Sequence, residues 1–99
     1  MIHIIWEFNV HSDRVEKFLQ HYSSEGTWAQ LFQKSAAFKE TLLERDVDSP
    51  LRFITIDKWA DRSGFEDFKR TFQAEYAALD RRCESLTESD HFLGMFESL

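Results

Sequence analysis

Residues 2–10, IHIIWEFNV, alternate with a period of two. Ile4, Trp6 and Phe8 fall on one face, and His3, Ile5, Glu7 and Asn9 on the other. The β-branched and aromatic content predicts a strand. The period then changes. Val15, Phe18, Leu19 and Tyr22 recur at i, i+3, i+4 and i+7, the spacing of one helix face, with Ser12 placed to cap it. Ser23–Gly26 interrupts the pattern, and Trp28, Leu31 and Phe32 carry it on as a shorter helical stretch. Residues 37–45, AFKETLLER, predict a second strand. Asp46–Pro50 is the turn, and residues 51–59 are the third strand. A second helix is expected to start near Asp61 or Ser63, where Ser63 and Glu66 have capping-box spacing. Its stripe is Phe65, Phe68, Phe72, Tyr76 and Leu79, running on through Cys83. Residues 91–97 predict a fourth strand.

The order is β-α-β-β-α-β, the split βαβ or ferredoxin-like arrangement: an α+β fold with one antiparallel four-stranded sheet. An internal echo agrees with it. Val15-Glu-Lys-Phe18 and Phe65-Glu-Asp-Phe68 lie 50 residues apart, and at that offset Ile4 matches Ile54 and Glu7 matches Asp57. A pseudo-twofold axis perpendicular to the sheet keeps equivalent residues on one face. On that register Ile4, Trp6, Phe8, Ile54 and Ile56 face the helices. Glu7, Asn9, Thr55, Asp57 and Trp59 share the opposite face with His3 and Phe53. That second face is too aromatic for open water and too polar for a dry core, so it is expected to pack against a second copy of the sheet, with Phe53 and Trp59 in a homodimer interface.

Composition sharpens this picture. Ninety-nine residues form a single domain, 1–99, and ten Phe and three Trp are more aromatic surface than so short a chain readily hides alone. Eighteen acids against twelve bases give a net charge of -6, without a basic cluster, which argues against nucleic acid and against an anionic membrane surface. No apolar run approaches the roughly 20 residues of a spanning helix, and the N-terminus carries no basic signal-like region. The single Cys83 fits a reducing compartment. A cytoplasmic protein is expected.

The β-α-β-β-α-β order is joined by GTWAQLF (26–32), FITIDKW (53–59) followed by a helix with Phe65 and Phe68, EYAALDRRCESLT (75–87) and LGMFE (93–97). With these the chain resembles the antibiotic biosynthesis monooxygenase-like domain over nearly its whole length. The resemblance implies a dimeric α+β barrel, with two sheets face to face, the helices outside, and a ligand cleft between each sheet and its own helices. Members include cofactor-independent oxygenases of aromatic polyketides and haem-degrading enzymes. The haem-degrading branch uses an Asn on the first strand and a Trp and a His on the second helix. The matching positions here fall near Trp6, Phe68 and Ala78, so the resemblance does not extend to that activity. The family's cofactor-independent branch would make it an oxidoreductase that needs no cofactor, and other members have no known role.

Aspartate is disfavoured in strands and costly to bury. Asp57 is therefore open to three readings: a partner for Arg45 or Arg52, a brace for the Trp59–Ser63 turn, or a group that does proton chemistry. Glu25 and His21 are the other candidate bases. Trp6, Tyr22, Trp28, Phe32, Phe72 and Tyr76 would meet in one helix–sheet layer, either as packed core or as a pocket for a small flat aromatic molecule. The four histidines lack the spacing of a metal site, His3 and His91 approaching only if the first and fourth strands are neighbours, and no phosphate-cradling glycine loop is present. Neither metal nor cofactor is expected. Two functions fit: a cofactor-independent monooxygenase acting on a phenol- or quinol-like substrate, or a dimeric barrel that binds a small ligand or serves in stress without catalysis.

Overall fold

The computed structural model describes Met1–Leu99. β1 (Ile2–Val10) leads into α1 (Val15–Tyr22) and α2 (Thr27–Phe32). β2 (Phe38–Arg45) and β3 (Arg52–Trp59) form a hairpin. α3 (Arg62–Thr71) and α4 (Gln73–Cys83) follow, and a single 3-10 turn at Glu84–Leu86 delivers the chain to β4 (Thr87–Glu97). The four strands form one antiparallel sheet in the order β2-β3-β1-β4, with all helices on one side. The fold is thus the α+β, ferredoxin-like one that the alternation of periods predicts.

Residues directly opposite one another in neighbouring strands share a face. In β1 the even positions face the helices: Ile2, Ile4, Phe8 and Val10 are buried, and Trp6 is partly so. Their partners in β3 are odd. Ile2 lies opposite Trp59, Ile4 opposite Asp57, Trp6 opposite Thr55 and Phe8 opposite Phe53. This corrects the face expected for β3. Phe53, Thr55, Asp57 and Trp59 lie beneath the helices, while Ile54 and Ile56 lie on the outer face with Ile5 and Leu42. The helices obey the 50-residue offset (Phe18 and Phe68 are both buried), but the helix-facing positions are even in β1 and odd in β3, so the strands are related by an odd offset. A slip of one residue moves every side chain to the other face.

Trp59 is consequently core and not interface. It is fully buried, with Phe32, Phe38, Phe65 and Phe68 ringed around it at centroid distances of 5.2–5.4 Å. Phe53 belongs to a second, smaller cluster with Phe8, Val10 and Phe18.

Several local expectations are also revised. Ser12 makes no cap for α1. That helix begins after Arg14 without a side-chain cap, and Leu19 is turned to solvent. α3 is capped by Asp61, whose Oδ1 accepts from the Gly64 N–H at 2.7 Å, so the Ser63–Glu66 pair is not the capping box. The second helical region breaks at Phe72 into two helices. β4 starts at Thr87, four residues earlier than the apolar run suggests, because its first half is polar and its pairing with β1 is supplied by the backbone. Leu93 is an extra residue in β4, between Phe92 opposite Trp6 and Gly94 opposite Ile5. Gly94 follows this bulge at φ +151°, a conformation that side-chain-bearing residues rarely adopt.

Candidate functional site: a cavity beneath the helices

A cavity of about 60 Å³ opens between the sheet and its helices. Its floor is Trp6 and Phe8 from β1, Thr41 from β2, and Thr55 and Asp57 from β3. Its roof is Tyr22 from α1, Trp28 and Phe32 from α2, and Tyr76 from α4. Two exposed carboxylates, Asp80 on α4 and Asp90 on β4, complete the lining. The Ser23–Gly26 break explains the roof. Gly26 approaches the end of α1 so closely that a Cβ there would lie 2.7 Å from the Gln20 carbonyl oxygen. That approach turns α2 back over the sheet and drops the Trp28 ring against Tyr22 at 6.2 Å and Tyr76 at 5.0 Å.

Asp57 is the one ionisable group on the floor. The register places it between Ile4 and Thr41, and Thr41 Oγ1 donates to its Oδ1 at 2.7 Å. It has no basic partner. Arg52, one of the two expected, points to the outer face, where Nε donates to Glu7 Oε2 at 2.9 Å and Nη1 to Asp46 Oδ2 at 3.0 Å. Arg45 lies opposite Phe53 at the other end of the hairpin. Burial pushes the Asp57 carboxyl up to about 6, and the Thr41 hydrogen bond opposes that rise. A carboxyl with this affinity is ionised at neutral pH yet binds a proton far more readily than an exposed aspartate, as a general base requires.

Both tyrosines of the roof stay protonated. Tyr76 is pushed up to about 12, first by burial and then by the negative charges of Asp80 and Asp57. Tyr22 is raised as well, chiefly by burial. Their hydroxyls remain donors at any physiological pH. Cys83, buried behind Tyr22, has its thiol raised by burial, which leaves it unreactive.

Five of the six aromatic residues singled out from the sequence (Trp6, Tyr22, Trp28, Phe32 and Tyr76) come together around this cavity. Phe72 does not; it packs on Phe68 at 5.3 Å, with the Lys34 ammonium over its ring. Of the three candidate bases, only Asp57 lines the cavity. Glu25 is exposed in the α1–α2 break. His21 is buried outside the cavity, its Nδ1 hydrogen-bonded to Thr27 Oγ1 at 3.0 Å. Its basicity is lowered by burial and by the nearby charges of Arg82 and Lys17. β1 and β4 are neighbours, yet His3 lies opposite Phe96 and His91 opposite Glu7, four residues apart along β1. Thr41, Thr55, Phe8, Asp80 and Asp90 were not singled out from the sequence. For Thr41 the signal lies in the hairpin register, which a bulge near Lys39 shifts by one residue.

No family model matches the chain, and no curated protein sequence matches it. Solved structures do. Proteins classed as antibiotic biosynthesis monooxygenases are among the structural neighbours, matched over nearly the whole of this chain. SnoaB, a cofactor-independent oxygenase from Streptomyces nogalater, superposes with a TM-score of 0.74 at 18% identity, over 99% of this chain and 92% of its own. A protein from Deinococcus radiodurans, provisionally classed as an antibiotic biosynthesis monooxygenase, gives 0.77 at 13% identity, over 100% and 93%. One from Nitrosomonas europaea, classed in the same way, gives 0.71 at 17% identity, over 100% and 99%. At these identities the likeness is one of fold. No helix of the structure is long and apolar enough to cross a membrane.

Proposed function

We propose that the protein is a cofactor-independent monooxygenase of a small electron-rich phenol or quinol, with Asp57 as the base. The observation that carries this reading is a partly buried carboxylate, without a basic partner, on the floor of an aromatic cavity. SnoaB, which shares the fold, is a cofactor-independent oxygenase.

The chemistry needs little from the protein. Asp57 removes a proton from the activated carbon or hydroxyl of the substrate. The resulting anion passes one electron to O2, and the radical pair closes a carbon–oxygen bond as a peroxide anion. That anion takes the proton back from Asp57. At a methylene of the anthrone type, loss of water then leaves a carbonyl. One oxygen atom stays, the other leaves in water, and all the electrons come from the substrate. The aromatic walls hold the ring and keep bulk water from the intermediates, while the Tyr22 and Tyr76 hydroxyls supply donors to developing oxyanions.

Two copies would join through the outer sheet face, where Ile5, Leu42, Ile54, Ile56 and Phe96 form an apolar surface around the Glu7–Arg52–Asp46 network. A non-catalytic ligand-binding barrel is the second reading. It is favoured by the size of the cavity, which as it stands accommodates a few water molecules. A ring would have to project through the mouth or displace Trp28 or Tyr76. Oxygen uptake with a panel of anthrones and quinols separates the two readings. Uptake above the uncatalysed rate, abolished in Asp57→Asn, supports the oxygenase. Binding without uptake supports the second reading.

A further inference from the structure

Eleven residues line the cavity; six are aromatic, and Asp57, Asp80 and Asp90 supply the only charges. No Lys, Arg or His is among them. None of the three carboxylates takes part in any ion pair of the structure, although five pairs with Lys or Arg tie down other acids. The cavity lining therefore carries negative charge that no lining cation and no ion pair neutralises. The rest of the molecule, at a net charge of -6, adds to that field.

An aromatic box edged by carboxylates is a poor host for an anion. A carboxylate, sulfonate or phosphate on the ligand would lose its water and meet like charge. A protonated amine meets the opposite. The negative π faces of Trp and Tyr attract it, and the carboxylates pair with it. One of these rings already takes a cation: Lys69 Nζ stands 4.9 Å from the Tyr76 centroid, although Lys69 does not line the cavity. The charges are also divided in a useful way. Asp57 lies on the sheet floor, while Asp80 and Asp90 are exposed on α4 and β4.

We propose that this site selects a cationic aromatic: a phenol or catechol carrying a protonated amine on a short chain, with its hydroxyl toward Asp57 and its ammonium between Asp80 and Asp90. This deepens the oxygenase reading and rests on the same cavity being the binding site. It excludes carboxylate-bearing phenols of the same shape.

The test is a binding titration without oxygen, so that it does not depend on turnover. Trp6 and Trp28 line the cavity, and their fluorescence reports occupancy. At about pH 8, well above the titration of Asp57, the protein is titrated with dopamine, 4-ethylcatechol and 3,4-dihydroxyphenylacetate, three ligands of nearly equal shape with charges of opposite sign or none. Dopamine is expected to bind at least about tenfold tighter than 4-ethylcatechol, and the acid at least about tenfold weaker. The Asp80→Asn/Asp90→Asn double variant narrows the gap, as does about 1 M salt. Equal affinity for the amine and the acid, or no binding of dopamine, overturns the proposal. Charge-selective binding followed by no oxygen uptake from any ligand upholds it and retires the oxygenase reading instead.

Discussion

Thr41 and Asp57 face each other across the β2–β3 hairpin, and the threonine hydroxyl donates to the aspartate carboxylate at 2.7 Å. This hydrogen bond is the only side-chain interaction that holds the charged form of Asp57, and it works against the burial that pushes its pKa up to about 6. Thr41 is itself buried, so its hydroxyl has little else to bond. The pair sets both the direction in which the carboxylate points and the pH at which it loses its charge.

Thr41→Val keeps the shape and removes the donor. The Asp57 carboxyl is then expected to rise further, by about one pH unit for a hydrogen bond to a charged acceptor. The acid limb of the kcat/KM–pH profile should move upward with it, while the rate at high pH changes little. Without turnover, the carboxyl titration followed by NMR gives the same shift. A profile that does not move would mean that Thr41 merely fills space.

Asp57 should cost the protein stability at the pH where it would act. Its folded pKa lies above its ordinary value of 3.8. Well below pH 3.8 the carboxyl is protonated in both folded and unfolded chains and carries no penalty. As the pH rises towards about 6, the unfolded chain ionises first, and the folded state loses ground until the folded carboxyl has titrated too. The full penalty, about 3 kcal/mol, persists above that. Asp57→Asn can still accept from Thr41 and should therefore be more stable than the native protein at about pH 8, with most of the advantage gone by about pH 4. Urea melts at the two pH values measure it. A variant that loses activity and gains stability identifies a residue kept for chemistry.

Why part of this was hidden in the sequence follows from particular residues. β1 declares its faces, because Glu7 and Asn9 alternate with Trp6 and Phe8. β3 does not. Phe53, Ile54, Ile56 and Trp59 put apolar side chains on both faces, so alternation alone cannot choose between them. Polarity then pointed Asp57 away from the helices, since a carboxylate is costly to bury, and the 50-residue echo agreed. The rule failed at the one place where the carboxylate lines a cavity, and the echo failed because the sheet register pairs even positions of β1 with odd positions of β3. The aromatic walls were easier to read. Tyr22, Trp28, Phe32 and Tyr76 lie on helical segments whose buried faces follow from spacing, so which residues meet could be stated without the register of the sheet. Asp80 and Asp90 lie on different elements, and only the tertiary fold brings them to the same cavity.

Gly26 is the hinge of the roof. Its φ of -76° is ordinary for any residue, so what demands glycine is space. An added methyl would lie 2.7 Å from the Gln20 carbonyl oxygen and 2.8 Å from the His21 carbonyl carbon and oxygen, all backbone atoms. Gly26→Ala must push α1 and α2 apart, at a cost of roughly 1–3 kcal/mol for overpacking. Trp28 begins two residues later. The expected signature is a lower urea midpoint together with a red-shifted tryptophan emission, because the ring lifts out of the layer it shares with Tyr22 and Tyr76. An unchanged midpoint would show that the α1–α2 junction yields easily.

The outer sheet face carries the last prediction. Ile54 and Ile56 point away from the helices, Ile56 lying between Ile5 on β1 and Leu42 on β2. Around them, Arg52 joins Glu7 and Asp46, and Lys58 Nζ lies 3.5 Å from Glu40 Oε2, so the charges on this face are largely paired within the chain. A surface of paired charges around branched aliphatics suits a partner that is its own copy, since a twofold contact sets like against like and tolerates no net charge at its centre. Ile56→Arg puts one unpaired cation there, duplicated by the symmetry. It removes nothing from beneath the helices, so the circular dichroism of the fold should be unchanged. In sedimentation velocity at micromolar concentration the native protein is expected to run as a dimer and the variant as a monomer. A native monomer, or a variant that stays dimeric, would place the contact elsewhere on the molecule.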